Sequence, residues 1–293
     1  MMIPTLLAGL CDDAALFPPG NALLEDAAPA HIAHENSRHA GIVGPFVFPA
    51  SRLDELSAAA TSVDGVLELT LTVPAGVSAV PAAVQIVRGI DGVRLAALEI
   101  AVPDGQRTAE LITALDEIAR TVPGVDVFVE VPRDDRRPEI MAALIGTPYS
   151  VKFRTGGIVA EAYPDEAELA AAISAVVGSG VPFKATAGLH HAVRNTDPDT
   201  GFEQHGFLNL MLATHRAAQG ADTDVVVATL ADRDGRRIAD TLSALDDDEV
   251  GALRATFRSF GTCSISDPLT ELADLGLLSM NDPTSLSDPG VTA

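Results

Sequence analysis

Lys152 and Lys184 are the only two lysines in a chain that uses arginine seventeen times, and both stand inside apolar runs. Lys152 lies in "SVKFRTGG" and Lys184 in "VPFKATAG", each ahead of a small, glycine-bearing turn. A cation wanted only for its charge could as well be arginine, which never gives up its proton. Lysine can give it up, and the neutral amine can condense with a carbonyl to an imine. One strand–helix unit separates the two lysines, which puts them at matched heights on adjacent parallel strands. Two ammonium groups so placed repel, and partial desolvation acts in the same direction, so the lysine pKa falls and a nucleophile is freed. Lys184 is the first choice for the reacting amine, because Thr186 and the turn beside it are small, whereas Lys152 has the bulky Arg154 as a neighbour. Lys152 then acts by holding down the pKa of Lys184.

The elements that carry these residues follow from the pattern around them. Apolar runs read as strands at 44–49, 67–73, 95–102, 125–131, 149–156, 181–188, 224–230 and 259–265, with helical patterns between them, clearest at 106–122, 165–178 and 205–220. Eight strands, each followed by a helix, predict a (β/α)8 barrel over 43–280. Residues 1–42 are read as an N-terminal extension packing on it and 281–293 as a flexible tail. An open doubly wound sheet is the runner-up, but it asks for a glycine-rich loop after the first strand, and "FPASRLDEL" has none. Ser51 and Asp54 suggest a cap for the first barrel helix.

Side chains alternate between the two faces of a strand. The large apolar residues Leu98, Ile100, Val127, Val129, Val131, Val151, Phe153 and Phe183 share one parity. The other collects Thr70, Thr72, Glu99, Glu130, Lys152, Arg154, Lys184, Thr186 and, on the last strand, Thr262 and Ser264. The second set is predicted to face the barrel interior near its C-terminal mouth. Glu99 and Glu130 would balance the lysines or move protons, Glu130 being preferred as the proton carrier. A purely structural Glu–Lys network would leave the same pattern.

Several residues near the mouth join this candidate site. The loop "LHHAVRNTDPDTGFEQ" follows the sixth predicted strand, on the face where barrel active sites sit. His190 and His191 could move protons or touch substrate, and Arg194 could hold a carboxylate or phosphate. Residues 189–204 are expected to border the cavity as a lid. Arg154 and Thr186 are candidate substrate contacts, and the backbone N–H groups at Gly156, Gly157 and Gly188 candidate phosphate donors. His31, His34 and His39 read as helix-surface residues, Cys11 and Cys263 as two buried thiols without a disulfide, and Asp12 and Asp13 as neighbours of a turn, outside the site. This chemistry needs no cofactor and no metal.

The segments "VKFRTGG" and "FKATAGLHH" resemble the two lysine strands of class I, Schiff-base aldolases of the deoxyribose-phosphate aldolase type. The resemblance covers about forty residues. It implies that Lys152, ahead of its threonine- and glycine-containing turn, forms the imine and that Lys184 tunes it, with the glycine turns helping to bind phosphate. Two departures stand out. The lysines fall on the fifth and sixth predicted strands rather than the sixth and seventh, and Arg154 occupies a small-residue position. The family's acidic proton-transfer residue matches no single position here; Glu99 and Glu130 both qualify.

A net charge of −22 argues against nucleic acid and anionic lipid as partners. No stretch approaches the length of a membrane span, and no basic residue precedes Arg38, so a cytoplasmic protein is expected. The chemistry points to a small anionic or carbonyl substrate. Assembly with copies of itself stays open. So do a phosphoribosyltransferase-like barrel, in which Lys152, Arg154 and Lys184 bind anions without reacting, and a non-catalytic anion-binding or scaffold barrel.

Overall fold

The computed structural model describes residues 4–278. Its strands are β1 (Cys11–Asp13), β2 (Val43–Pro49), β3 (Leu67–Val73), β4 (Val93–Ala101), β5 (Asp126–Glu130), β6 (Ser150–Arg154), β7 (Phe183–Thr186), β8 (Asn195–Thr196), β9 (Glu203–Gln204) and β10 (Phe257–Thr262). Eight of them pair in parallel and close in the order β1-β10-β7-β6-β5-β4-β3-β2, while β8 and β9 form a small hairpin in the loop after β7. The architecture is a (β/α)8 barrel. One helix follows each of the first six barrel strands: α1 (Leu24–Glu35), α2 (Leu53–Ser62), α3 (Val80–Arg88), α4 (Thr108–Thr121), α5 (Arg137–Leu144) and α6 (Glu166–Ser179). Four helices fill the interval before β10, namely α7 (Phe207–Ala218), α8 (Thr223–Leu230), α9 (Gly235–Ser243) and α10 (Asp247–Thr256), and α11 (Ser266–Asp274) follows it. The tail expected over 281–293 lies outside the described residues.

Two expectations about the strands are corrected. The barrel does not begin at residue 43, because β1, inside the supposed extension, pairs with β10 on one side and β2 on the other. And "DVVVATL" is a helix. Val226, Thr229 and Leu230 are buried there while Val225 is 41% exposed, the three-and-four spacing of a helix packed on one side rather than the alternation of a strand. Its side chains pack against α6 and α7, and that packing outweighs the strand preference of three consecutive valines. The two errors cancel in the strand count and shift the numbering, so Lys152 and Lys184 lie on the sixth and seventh barrel strands. The cap at Ser51 is also absent: α2 starts after Arg52 with no side-chain cap.

The outward parity forms the layer between barrel and helices. Phe153 and Phe183 meet at 5.4 Å between ring centres, Phe183 and Phe257 at 5.2 Å, and Phe260 stacks on Phe207 of α7 at 4.5 Å. Burying such a ring contributes about 1.5–3 kcal/mol each, so the seam fixes β6, β7 and β10 against the helices and holds the opposite parity inward. Among the described residues no helix is long and apolar enough to cross a membrane.

Candidate active site

The interior holds an alternating row of charges. Lys152 pairs across the ladder with Lys184 and with Glu130 in register. Glu99 on β4 stands between the two ammonium groups: one carboxylate oxygen is 2.5 Å from Lys184 Nζ and the other 2.5 Å from Lys152 Nζ. Lys184 also donates to Asp12 of β1, and Lys152 lies 2.8 Å from Glu130. The Ser259 hydroxyl closes the far end, donating to Asp12 at 2.7 Å. Negative and positive groups thus alternate across the barrel from Asp12 through Lys184, Glu99 and Lys152 to Glu130. The first four are all but sealed, at 3%, 1%, 3% and 4% exposure.

This arrangement overturns one expectation. Lys184 is not held down by Lys152, because Glu99 stands between the two ammonium groups. Burial alone would depress Lys184, but the Asp12 and Glu99 carboxylates overrule it and hold its pKa above the ordinary lysine value. Burial would likewise raise Glu99, yet Lys152 and Lys184 bring it down to about 2. Asp12 goes the other way: burial raises it despite its contacts with Lys184 and Ser259. The signs separate the two acids. Glu99, depressed in the fold, contributes stability that is present above its ordinary 4.5 and lost as the pH falls towards about 2. Asp12, raised in the fold, loses nothing on acidification. Acid unfolding followed by circular dichroism is therefore expected to show a smaller stability loss between pH 4.5 and about 2 in Glu99→Gln than in the native chain, the remainder belonging to other depressed carboxylates such as Glu168 and Asp232.

Above this row opens a cavity of about 790 Å3 at the C-terminal mouth. Of the sequence-predicted residues, Glu99, Glu130, Lys152, Arg154, Thr186, Gly157, Gly188 and His190 line it. Lys184, Gly156, His191 and Arg194 do not. Lys184 lies beneath the cavity floor, whereas Lys152 is on it.

Gly156 and Gly188 serve packing between the loops after β6 and β7. A Cβ on Gly156 would come within 2.8 Å of the Gly188 Cα and 2.7 Å of the Tyr163 ring, and Gly188 adopts φ +71°. The expected cost of Gly156→Ala is about 1–3 kcal/mol, read by denaturant unfolding.

The histidine loop divides in the same way. His190 faces the cavity beside Cys263, its Nδ1 3.3 Å from the thiol. Burial, then the neighbouring His191, lower its pKa. His191 instead turns to Glu271 at 2.6 Å, and that hydrogen bond raises its pKa. Arg194 is a brace: it pairs with Glu166 at 2.6 Å and Glu203 at 3.2 Å, and its N–H donates to Asn209. His190→Ala is thus expected to change ligand affinity at least several-fold, and His191→Ala to leave it within a factor of two, as titration calorimetry would show.

Sequence reasoning missed Asp12, Ser259, Cys263, Tyr163 and Phe202. It also set the parity of β10 wrongly, for Ser259 and Gly261 face inward, while Thr262 bonds the carbonyl of Ser264. Polarity misled there. The inward position is a glycine, and a side chain on it would press the Thr186 hydroxyl at 2.9 Å. His31 and His39, read as surface residues, are buried, His31 against Asp13 at 3.0 Å. Among the described residues no His, Cys, Asp and Glu side chains cluster so as to hold a metal ion. No family model matches the chain, and no curated protein matches it.

Proposed function

We propose that this barrel is an enzyme in which Lys152 condenses with the carbonyl group of its substrate, a Schiff-base lyase of the aldolase type. The observation that carries the reading is the placement of the Lys152 amine on the cavity floor, between Glu99 and Glu130. An ammonium group must lose a proton before it can attack. Glu130, 2.8 Å away and open to the cavity, is placed to take it. The amine then adds to the carbonyl carbon, and the proton on Glu130 departs with the leaving water to give the iminium. Glu130 next takes the proton of the hydroxyl on the β carbon as the bond between the α and β carbons breaks, and the first product leaves as a carbonyl compound. The electron pair forms an enamine, and Glu130 returns the proton to the α carbon. Water returns to release the product and restore the amine. Glu99 stays ionised throughout, and Lys184 stays charged beneath it, fixing the carboxylate.

The strand count supports the same reading. With the lysines on the sixth and seventh barrel strands, the mismatch in strand placement with deoxyribose-phosphate aldolase-type enzymes disappears, although the departure at Arg154 stays, and the reacting lysine is the one that the resemblance points to. The anion-binding alternative fares worse, since each cation in the cavity already faces a carboxylate. Borohydride reduction in the presence of a short aldehyde is expected to add one alkyl group to the peptide carrying Lys152. An adduct on Lys184 would reassign the amine, and none at either lysine would return the non-covalent readings.

A further inference from the structure

Resting on Lys152 as the reacting amine, we infer that the substrate is a carbonyl compound with an uncharged, apolar body, and not a sugar phosphate. Three observations lead there. The first is charge. Glu99, Glu130 and Asp197 line the cavity against Lys152 and Arg154, leaving the wall with a net negative charge before any ligand enters. Lys152 is held by two carboxylates, and Arg154 faces Glu130 at 3.7 Å. A phosphate dianion would meet repulsion with no unopposed cation to repay its desolvation.

The second is what sits on the glycine turns. Tyr163 lies over Gly156 and Gly188, within 2.7 Å of where their Cβ atoms would be. The Tyr163 hydroxyl is turned towards the Gln204 side chain and the Gly157 backbone, and burial raises its pKa despite them. Phe202 packs against Tyr163 with ring centres 5.6 Å apart, and both rings line the cavity. An aromatic wall stands where an anion would have to be gripped.

The third is size and surface. At about 790 Å3 the cavity suits a drug-sized body. Phe17, Pro18, Pro19 and Ile158 line it as well, and Ile158 is 79% exposed. Apolar groups near the entrance and charges on the floor describe a ligand with a reactive polar end and an apolar remainder.

The test uses two series on the full chain. Propanal, butanal, pentanal and hexanal are trapped with borohydride at Lys152, beside glyceraldehyde and glyceraldehyde 3-phosphate. The matching primary alcohols, which cannot form imines, are titrated by calorimetry. Both series are expected to tighten about three- to fourfold per methylene, with no gain from the phosphate. Phe202→Asp is expected to flatten both series. A flat alcohol series, or tenfold better trapping of glyceraldehyde 3-phosphate than of glyceraldehyde, overturns the inference. A rising alcohol series with no trapping of any aldehyde upholds the apolar cavity and overturns the imine reading instead.

Discussion

Lys152→Arg is expected to abolish borohydride trapping and to lower turnover by at least about 10^3-fold, with only a modest shift in melting temperature. The guanidinium keeps the positive charge between Glu99 and Glu130, so the buried acids are not left unpaired. What it cannot do is lose a proton and condense with a carbonyl. Its extra bulk presses the cavity floor and costs at most about 1–3 kcal/mol. Intact-mass analysis after reduction and a thermal melt on the same sample separate chemistry from folding. A variant that still trapped substrate would place the imine elsewhere, and one that failed to fold would show that the pocket cannot take the larger group. Lys152→Met then serves as the second probe, smaller and equally unable to react.

Lys184→Met is expected to act on the fold instead, lowering its stability by about 3–5 kcal/mol. This ammonium group is 1% exposed and bonds both Asp12 and Glu99, so its removal strands Asp12 in the interior with only the Ser259 hydroxyl. Adding Asp12→Asn to the same chain removes the stranded charge and is expected to restore part of the loss, giving a coupling energy well above the roughly 0.5 kcal/mol found between independent sites. Urea unfolding of the two single variants and the double variant measures it. Purely additive effects would show that the pair does not interact in solution.

How far the sequence reached depends on what each residue reports. Lys152, Lys184, Glu99 and Glu130 were legible because a charge inside a run of valine and phenylalanine has one explanation, an interior face. Parity along β4 to β7 then placed all four. β1 escaped because three residues, two of them aspartates, carry no periodicity, and the pairing of Asp12 with Lys184 joins positions 172 apart. α8 was misread because "VVV" favours a strand locally and only its neighbours decide otherwise. Which lysine meets the cavity could not be chosen from one-dimensional cues either. Small neighbours suggested room beside Lys184, but Asp12 and Glu99 occupy its surroundings. Tyr163 and Phe202 belong to loops, and their meeting over the cavity is a property of the assembled barrel.

The charged row also constrains the order in which the chain assembles. Asp12 meets Lys184 across 172 positions and Ser259 across 247, so its partners arrive only when the two ends of the barrel come together. Until then the acids and ammonium groups of the interior have incomplete partners and must keep their water. Dehydration of the Lys184 end of the row is therefore tied to the docking of β1, which brings Asp12. That contact rests on a long-range search rather than on the local strand–helix units.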